Sequence, residues 1–276
     1  MTTRLSWSHA GTAVTAGAED SPPARAALIA RLAPAGVVAG RAAAWIWGLD
    51  VLPPGRNASE WEVDLARSPP AAHVTEEAGV RVTTPARTAL DCARRLPRGE
   101  AVAALDQFLR AGVSLDALRL MARDLPDCRA SARLRDAFRL ADPGAASPGE
   151  TRTRLLVVSA GFPRPRTQVR VPGPRGEPLA VDLGYEEFRV GLEYDGEEHH
   201  TGPAARARDT ARRRWLAREH GWEVIPVTRD VLPAPGPYLE ALLTSLLHRG
   251  WSPDERTLHR VTTHLAHLRR RGRRCL

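Results

Sequence analysis

The feature that most constrains the fold is an ordered change of hydrophobic period in the second half of the chain. The segment GETRTRLLVVSAG predicts a helix, and three segments with alternating apolar residues follow it: RTQVRV, PLAVDLGY and FRVGLEYDG. A second helix (ARARDTARRRWLAREHG), a strand (WEVIPVT) and further helices come next. Three successive strands and a helical crossover into a fourth predict a mixed sheet flanked by helices, which is an α/β fold.

The first half of the chain has a different pattern. A length of 276 residues favours two domains, each with its own core. The first half predicts mainly helices with short strands at EWEVDLA, AAHVTE and GVRVT, and Thr84 followed by Pro85 predicts a capped helix start. The turn-forming segment ADPGAASPG separates the halves. We therefore expect an α+β protein with domains at 1–146 and 147–276.

The charge of the chain favours a polyanionic partner. The formal net charge is +8, and all 40 basic residues are arginine. Clustered cations gain free energy by releasing counterions from a phosphate backbone, and arginine suits bidentate phosphate contacts. Without lysine, a Schiff base and a P-loop are excluded, and no G-x-S-x-G elbow occurs. Composition alone does not name this partner, and we expect no organic cofactor.

Neither a membrane segment nor a cysteine-based site is expected. Arg41 and Asp50 interrupt the most apolar region, and polar residues dilute the small-residue stretch at the amino end, so we expect a cytoplasmic protein without a membrane partner. The cysteines, Cys92, Cys128 and Cys275, are odd in number and far apart, which argues against a disulfide framework and a cysteine-built zinc site.

Acidic residues follow two predicted neighbouring strands. Alternation places Glu193 and Asp195 on one face of FRVGLEYDG. In PLAVDLGY it places Asp182 opposite an apolar face made of Leu179, Val181, Leu183 and Tyr185. If the two strands form a hairpin, Asp182 and Glu193 lie side by side.

Such a pair of acids predicts a metal site. Like charges on adjacent strands repel unless a cation, a proton or water relieves them. Oxygen ligands select Mg²⁺ or Mn²⁺, which activates water and neutralises phosphoryl charge. We therefore predict a metal site at Asp182 and Glu193. The alternative is a solvated acidic patch at a strand end.

Residues 147–231 resemble the domain related to very-short-patch-repair (Vsr) endonucleases of the PD-(D/E)XK superfamily. The resemblance rests on SPGETRTR, GFPRPRTQVRV, VDLGY, VGLEYDGEEHH, DTARRRWLAREHGWEVIPVT and the following Asp230. It implies metal-dependent cleavage of DNA phosphodiester bonds, with Asp182 as the first acid of the motif and Glu193 as the second. Asp195 stands where many relatives have lysine, which leaves the residue that orients water open among His199, His200, Arg212 and Arg213. The resemblance also implies DNA as the partner, and we expect Arg212 and Arg213 to contact its phosphates.

Each supporting residue also has a structural interpretation. Ser147 and Glu150 form a capping box, whereas the resemblance makes Glu150 a third acid of the site. Asp209 and Arg213 fit a surface ion pair as well as a catalytic couple. The adjacent histidines suit proton transfer, but no companion ligands favour zinc. The terminal arginines are either a solvated end or a phosphate grip, and they include Arg269, Arg270 and Arg271.

The segments VVAGRAAAWIWGLDVLP and RVTTPARTALDCARRL resemble the amino-terminal part of AbiEi-like antitoxins of type IV toxin–antitoxin systems. No catalytic constellation occurs in this half, and its Trp45 and Trp47 predict core packing. We expect a positioning or partner-protein role for it. Two functions follow for the whole chain: a Mg²⁺-dependent DNA endonuclease in repair or defence, or a non-enzymatic DNA-binding regulator of the antitoxin kind.

Overall fold

The computed structural model describes residues 36–51, 64–125, 128, 131–196 and 203–272, and only the backbone of 203–206 and 271–272. The chain divides into two compact units, Met1–Pro143 (the N-terminal unit) and Gly144–Leu276 (the C-terminal unit). Each described unit combines helices with one four-stranded mixed sheet. The predicted mixed α/β fold class is therefore confirmed.

The N-terminal unit surrounds a small sheet with five described helices. Its strands are β1 (Val37–Val38), β2 (Leu65–Ala66), β3 (Val74–Glu77) and β4 (Val80–Thr83), in the order β2-β1-β4-β3. Its helices are α1 (Gly40–Ile46), α2 (Pro85–Arg95), α3 (Arg98–Arg110), α4 (Leu115–Asp124) and α5 (Ala132–Leu140). Strand β1 is parallel to β4 and antiparallel to β2, and β3 and β4 form a hairpin. The strands predicted at AAHVTE and GVRVT are confirmed.

Local sequence signals explain how this unit packs. Thr84 caps α2, because its side chain accepts a hydrogen bond from the Arg87 N–H at 3.4 Å, and Pro85 occupies the first helical position. A core of small and branched residues is buried between the sheet and α1, with Trp45 and Trp47 partly buried against it. The predicted packing role of these two tryptophans is confirmed.

The C-terminal unit follows the predicted order of elements. It contains α6 (Pro148–Ser159), β5 (Arg166–Pro172), β6 (Pro178–Tyr185), β7 (Val190–Asp195), α7 (Pro203–His220), β8 (Glu223–Thr228), α8 (Gly236–His248) and α9 (Glu255–Gly272). Strands β5, β6 and β7 form an antiparallel meander, and α7 crosses over to β8, which lies parallel to β7. This is the mixed sheet flanked by helices that the period change predicts.

The two faces of this sheet bury separate apolar clusters. Leu183, Tyr185, Val190 and Leu192 pack with residues of α6, α8 and α9. A second cluster consists of Val169, Val171, Val181, Leu216 and Trp222, with Leu179 packed against it. Consistent with this division, a Cβ atom at Gly191 would lie 2.5 Å from Val181, whereas neighbouring Leu192 belongs to the other cluster.

The prediction that Val181 and Leu183 share one face is therefore wrong. The register pairs Thr167 with Leu183 and Val169 with Val181, which in a regular pleat would place both pairs on one face. Leu183 nevertheless belongs to the first cluster and Val181 to the second, so the side-chain direction changes between the two pairs. The intervening residue of β5, Gln168, has a left-handed φ of 49°, which departs from the regular pleat. This irregularity lies beside Asp182, where the predicted site begins.

Among the described residues, no helix combines the length and the apolar character that a membrane crossing requires. The most apolar described helix of the C-terminal unit, α8, instead buries Leu239, Leu242 and Leu246 in the core of that unit.

Candidate functional site

Three carboxylates converge where strands β6 and β7 stop pairing. The register of these strands ends with Leu183 opposite Leu192, and the next positions outward are Asp182 and Glu193. Beyond that point the Tyr194 N–H donates a hydrogen bond to Asp182 Oδ2 at 2.9 Å. The Asp182 carboxylate thus accepts the hydrogen bond of a backbone N–H beyond the last strand pair. Asp182 and Glu193 therefore lie on neighbouring strands at the end of the paired region.

Glu150 brings the third carboxylate from α6. It has the contacts of a capping box, because its N–H donates to Ser147 Oγ at 3.2 Å and Ser147 Oγ donates back to Oε1 at 3.0 Å. The Ala146 N–H and Gln168 Nε2 donate to its other oxygen, Oε2, at 2.8 and 3.0 Å. Glu150 is only 6% exposed, so its charge acts on its neighbours with little screening by water. The two interpretations of Glu150 are therefore compatible.

The pKa of Asp182 responds to burial and to the charges of both neighbouring carboxylates. Burial raises its pKa first, and the charge of Glu150 and then that of Glu193 raise it further, to about 7. The Tyr194 N–H and Arg212 act in the opposite direction. Burial also raises the pKa of Glu193, even though Arg212 lies beside it. We call Glu150, Asp182 and Glu193 the carboxylate cluster.

Helix α7 supplies two cations to this region. The Arg212 guanidinium forms an ion pair with Glu193 Oε1 and donates a hydrogen bond to the Ala180 carbonyl at 2.5 Å. Arg213 Nη1 lies 3.4 Å from Asp195 Oδ2. The two arginines proposed for DNA contact are thus engaged with the two acids of β7, and the charge of Asp195 also reaches Glu193, because it is one of the causes that raise the pKa of that carboxyl.

The remaining residues of the predicted site lie partly outside the described residues, and the structure describes the side chains of only two terminal arginines, Arg269 and Arg270. His199 and His200 lie outside the described residues. At the C-terminus, Arg269 Nε lies 2.5 Å from Glu240 Oε1, and Arg270 is exposed. The side chain of Arg271 also lies outside the described part of the chain. The ion pair of Arg269 occurs on a solvated surface, where such a pair contributes little to stability.

The donor set of the cluster fits a hard divalent cation. Mg²⁺ is usually held by one or two carboxylates together with several waters, and oxygen is the only donor type here. Asp182 and Glu193 would hold the ion, and Glu150 would add a third negative charge. Within the described ranges, no group of three or more His, Cys, Asp or Glu side chains is arranged to hold a metal ion. Arg212 already contacts one oxygen of Glu193, Oε1.

Sequence reasoning missed Gln168 as a member of this region. Its amide contacts Glu150, and the backbone register places it opposite Asp182, between the two flanking pairs of β5 and β6. In the sequence, RTQVRV predicts only an ordinary alternating strand. A left-handed residue is usually signalled by glycine, asparagine or aspartate, and glutamine rarely adopts that conformation. The sequence therefore gives no local sign of the irregularity.

Comparison with known proteins supports the prediction for the N-terminal unit. The family model described as the AbiEi antitoxin C-terminal domain matches residues 12–140. The antitoxin-like assignment is thereby confirmed, although the matched model describes the C-terminal domain of these antitoxins rather than their amino-terminal part. The resemblance of residues 147–231 to Vsr endonucleases stays a prediction.

Two curated relatives come from Mycobacterium tuberculosis: the uncharacterized proteins MT2308 of strain CDC 1551 / Oshkosh and Rv2248 of strain ATCC 25618 / H37Rv. Each is 33% identical over 174 residues, which are 60% of this chain and 61% of the relative. The chain thus spans less than two thirds of the length of these relatives. No solved structure matches the chain.

Proposed function

We propose that the C-terminal unit is a metal-dependent DNA endonuclease that hydrolyses phosphodiester bonds. The observation that carries this proposal is the convergence of Glu150, Asp182 and Glu193 at the point where β6 and β7 separate. Burial first raises the pKa of half-buried Asp182, and repulsion from the buried carboxylates Glu150 and Glu193 raises it further. A divalent cation relieves that repulsion, and when bound supplies an activated water and neutralises charge on a phosphoryl oxygen.

The described side chains have separate roles in this proposal. Asp182 and Glu193 hold the ion from adjacent strands. Glu150 keeps the local charge negative, and Gln168 orients its carboxylate through the 3.0 Å hydrogen bond. We assign to Arg212 the stabilisation of the charge that develops on the phosphate, because the chain has no lysine for this role.

The charge of the protein supports DNA as the substrate. A net charge of +8 carried by arginine alone favours a polyanion, and phosphate contacts by arginine are strong and bidentate. We assign the N-terminal unit a positioning role or the binding of a partner protein. Mg²⁺ or Mn²⁺ is the proposed cofactor.

A second candidate function is that of a non-enzymatic DNA-binding regulator of the antitoxin kind. The match of residues 12–140 to an antitoxin domain favours it. In that case the carboxylate cluster binds no ion, and Arg212 serves only to neutralise Glu193.

Incubation with supercoiled plasmid distinguishes the two functions. The wild-type chain is expected to nick the plasmid with Mg²⁺ or Mn²⁺ and to be inactive with EDTA. Asp182→Asn is expected to bind the plasmid without nicking it. Asp116→Asn, which changes an exposed aspartate of α4, is the matched control and is expected to cleave like the wild type. A mobility shift without nicking under all metal conditions would reject the endonuclease and favour the regulator.

A further inference from the structure

The last helix, α9, has an exposed side that is rich in arginine and histidine. Its apolar residues Val261, Leu265 and Leu268 pack in the core of the C-terminal unit. The opposite side follows the helical spacing i, i+4, i+7, i+11 and i+14 from Arg256, and the residues at these positions are exposed. We call this side the α9 face, and it consists of Arg256, His259, Arg260, Thr263, His267 and Arg270.

The α9 face carries charge of one sign. From Arg256 to the end of the chain the sequence contains seven arginines and no acidic residue. The acids before it, Asp254 and Glu255, stand at the amino end of the helix, where backbone N–H groups stabilise negative charge. Hydrogen bonds with Thr257 lower the pKa of Asp254 most, and the charge of Arg260 lowers it further. The nearest negative charges are therefore confined to the first turn.

The arginines at the two ends of the face are available to a partner. Both Arg256 and Arg270 are exposed, and within the residues that the structure describes no carboxylate forms an ion pair with either of them. In contrast, Arg212 and Arg269 each hold a carboxylate of the protein itself. Of the two terminal arginines whose side chains are described, Arg270 is therefore the one that can contact an external anion without first breaking an ion pair.

The length of the face corresponds to several phosphates of a DNA strand. The helix rises about 21 Å between Arg256 and Arg270. One strand of B-DNA carries a charge for about every 3.4 Å of its axis, so the face spans about six phosphates. Arginine, histidine and threonine side chains all have an N–H or O–H group that donates to a phosphate oxygen. The face thus presents donors along the whole of that length.

We propose that the α9 face binds the sugar–phosphate backbone of duplex DNA, a choice of partner that rests on the proposed function. Cations along one surface gain free energy by releasing the counterions of a polyanion. An anionic membrane fits less well, because α9 buries its apolar side in the core and has no such side left to insert into a bilayer. The contact serves both candidate functions, since each of them requires DNA binding.

Binding of a fluorescent DNA duplex of about 24 base pairs tests the face without any cleavage, by anisotropy on the full chain in EDTA. The double variant Arg256→Gln/Arg270→Gln is expected to bind the duplex about tenfold or more weakly at about 0.1 M salt. Its plot of log Kd against log salt concentration should lose about two units of slope, because each phosphate contact contributes about 0.9. Unchanged affinity and slope would overturn the inference.

Two further variants separate this contact from net charge. Arg133→Gln/Arg135→Gln removes two exposed arginines of α5 and is expected to bind the duplex like the wild type. A loss equal to that of the α9 variant would reduce the effect to net charge and overturn the inference. Arg256→Lys/Arg270→Lys keeps both charges and is expected to keep the salt slope. Glutamine favours a helix about as well as arginine does, so the Tm of each glutamine variant should match that of the wild type.

The remaining outcomes separate this inference from the nuclease proposal. Asp182→Asn is expected to bind the duplex like the wild type, because the carboxylate cluster is not part of the α9 face. If plasmid is never nicked but the α9 variant still binds the duplex weakly, only the nuclease proposal fails. If the wild type nicks plasmid and the α9 variant binds the duplex normally, only the α9 inference fails. Loss of binding to phosphatidylserine vesicles in that variant, with duplex binding unchanged, would replace DNA by a membrane surface.

Discussion

Arg212 of α7 forms an ion pair with Glu193 of β7, which lies just beyond the last paired residues of β6 and β7. Glu193 is 6% exposed, and the same guanidinium holds the Ala180 carbonyl of β6. Since a buried carboxylate without a partner loses much of its hydration energy, this one arginine lets an acid stay charged inside the sheet. It also ties together the two strands that separate at the cluster.

Removal of that arginine is expected to destabilise the C-terminal unit. Arg212→Gln leaves Glu193 without its cation and should lower the free energy of unfolding by about 2 kcal/mol at pH 8. The loss should shrink below pH 4, because Glu193 is then protonated. Urea denaturation at both pH values measures it. Arg218→Gln removes an exposed pair and is the control; equal stability of the two variants at pH 8 would contradict the role of Arg212.

Stability is expected to fall as pH rises from about 4 to about 7. The pKa of Asp182 is about 7 in the folded protein and near 3.8 when unfolded, so its protonated form favours folding. That contribution is complete below the unfolded pKa and is lost as pH rises through the folded pKa. Asp182→Asn removes it and should be about 1–2 kcal/mol more stable than the wild type at pH 8. Parallel pH profiles of Tm for the variant and wild type would contradict this.

Magnesium is expected to reverse that loss. An ion that binds only the folded state stabilises it by about 2.7 kcal/mol at a hundred times its Kd. At pH 8, Mg²⁺ should therefore raise Tm of the wild type in a concentration-dependent way. Asp182→Asn should not respond, whereas Asp116→Asn should respond like the wild type. A response of Asp182→Asn equal to that of the wild type would place the binding of Mg²⁺ elsewhere in the protein.

Two substitutions at Gln168 separate backbone strain from side-chain function. Both Gln168→Gly and Gln168→Ala remove the hydrogen bond to Glu150, but only glycine relieves the left-handed φ of 49°. Gln168→Gly is therefore expected to be about 1 kcal/mol more stable than Gln168→Ala. If Gln168 orients Glu150, plasmid nicking should fall equally in both. Nicking that follows stability instead would show that the amide has no such role.

The start of α6 tolerates no side chain at Gly149. A Cβ atom there would lie 2.0 Å from the Tyr194 ring, so Gly149→Ala must displace either the ring or the helix start that carries Glu150. We expect a loss of about 1–3 kcal/mol and weaker Mg²⁺ stabilisation. Gly99 lies in α3 with open space around it, and Gly99→Ala should gain about 0.5 kcal/mol by helix propensity. Thermal denaturation measures both, and an unchanged Gly149→Ala would contradict the close contact.

Local signals in the sequence predicted much of this architecture. The order of helices and strands in the C-terminal unit followed from the hydrophobic period, and the Thr84 cap and the Ser147–Glu150 capping box from residue spacing. These features depend on residues within a few positions of one another. The antitoxin-like character of residues 12–140 was equally readable from local segments, although the part of the antitoxin that they match was not.

The sequence by itself determined which residues are acidic and which strands carry them, since the period of two is local to each strand. The tertiary structure decided that Asp182 and Glu193 lie at neighbouring positions where the β6–β7 pairing ends, and that Val181 and Leu183 face opposite ways. It also decided that Gln168 contacts Glu150 and that Arg212 contacts Glu193. Register and side-chain partners depend on contacts between residues that are distant in the chain: Gln168 and Glu150 are 18 positions apart, and Arg212 and Ala180 are 32 positions apart. Such contacts form only when the whole sheet and its helices pack, because no single segment stabilises them alone.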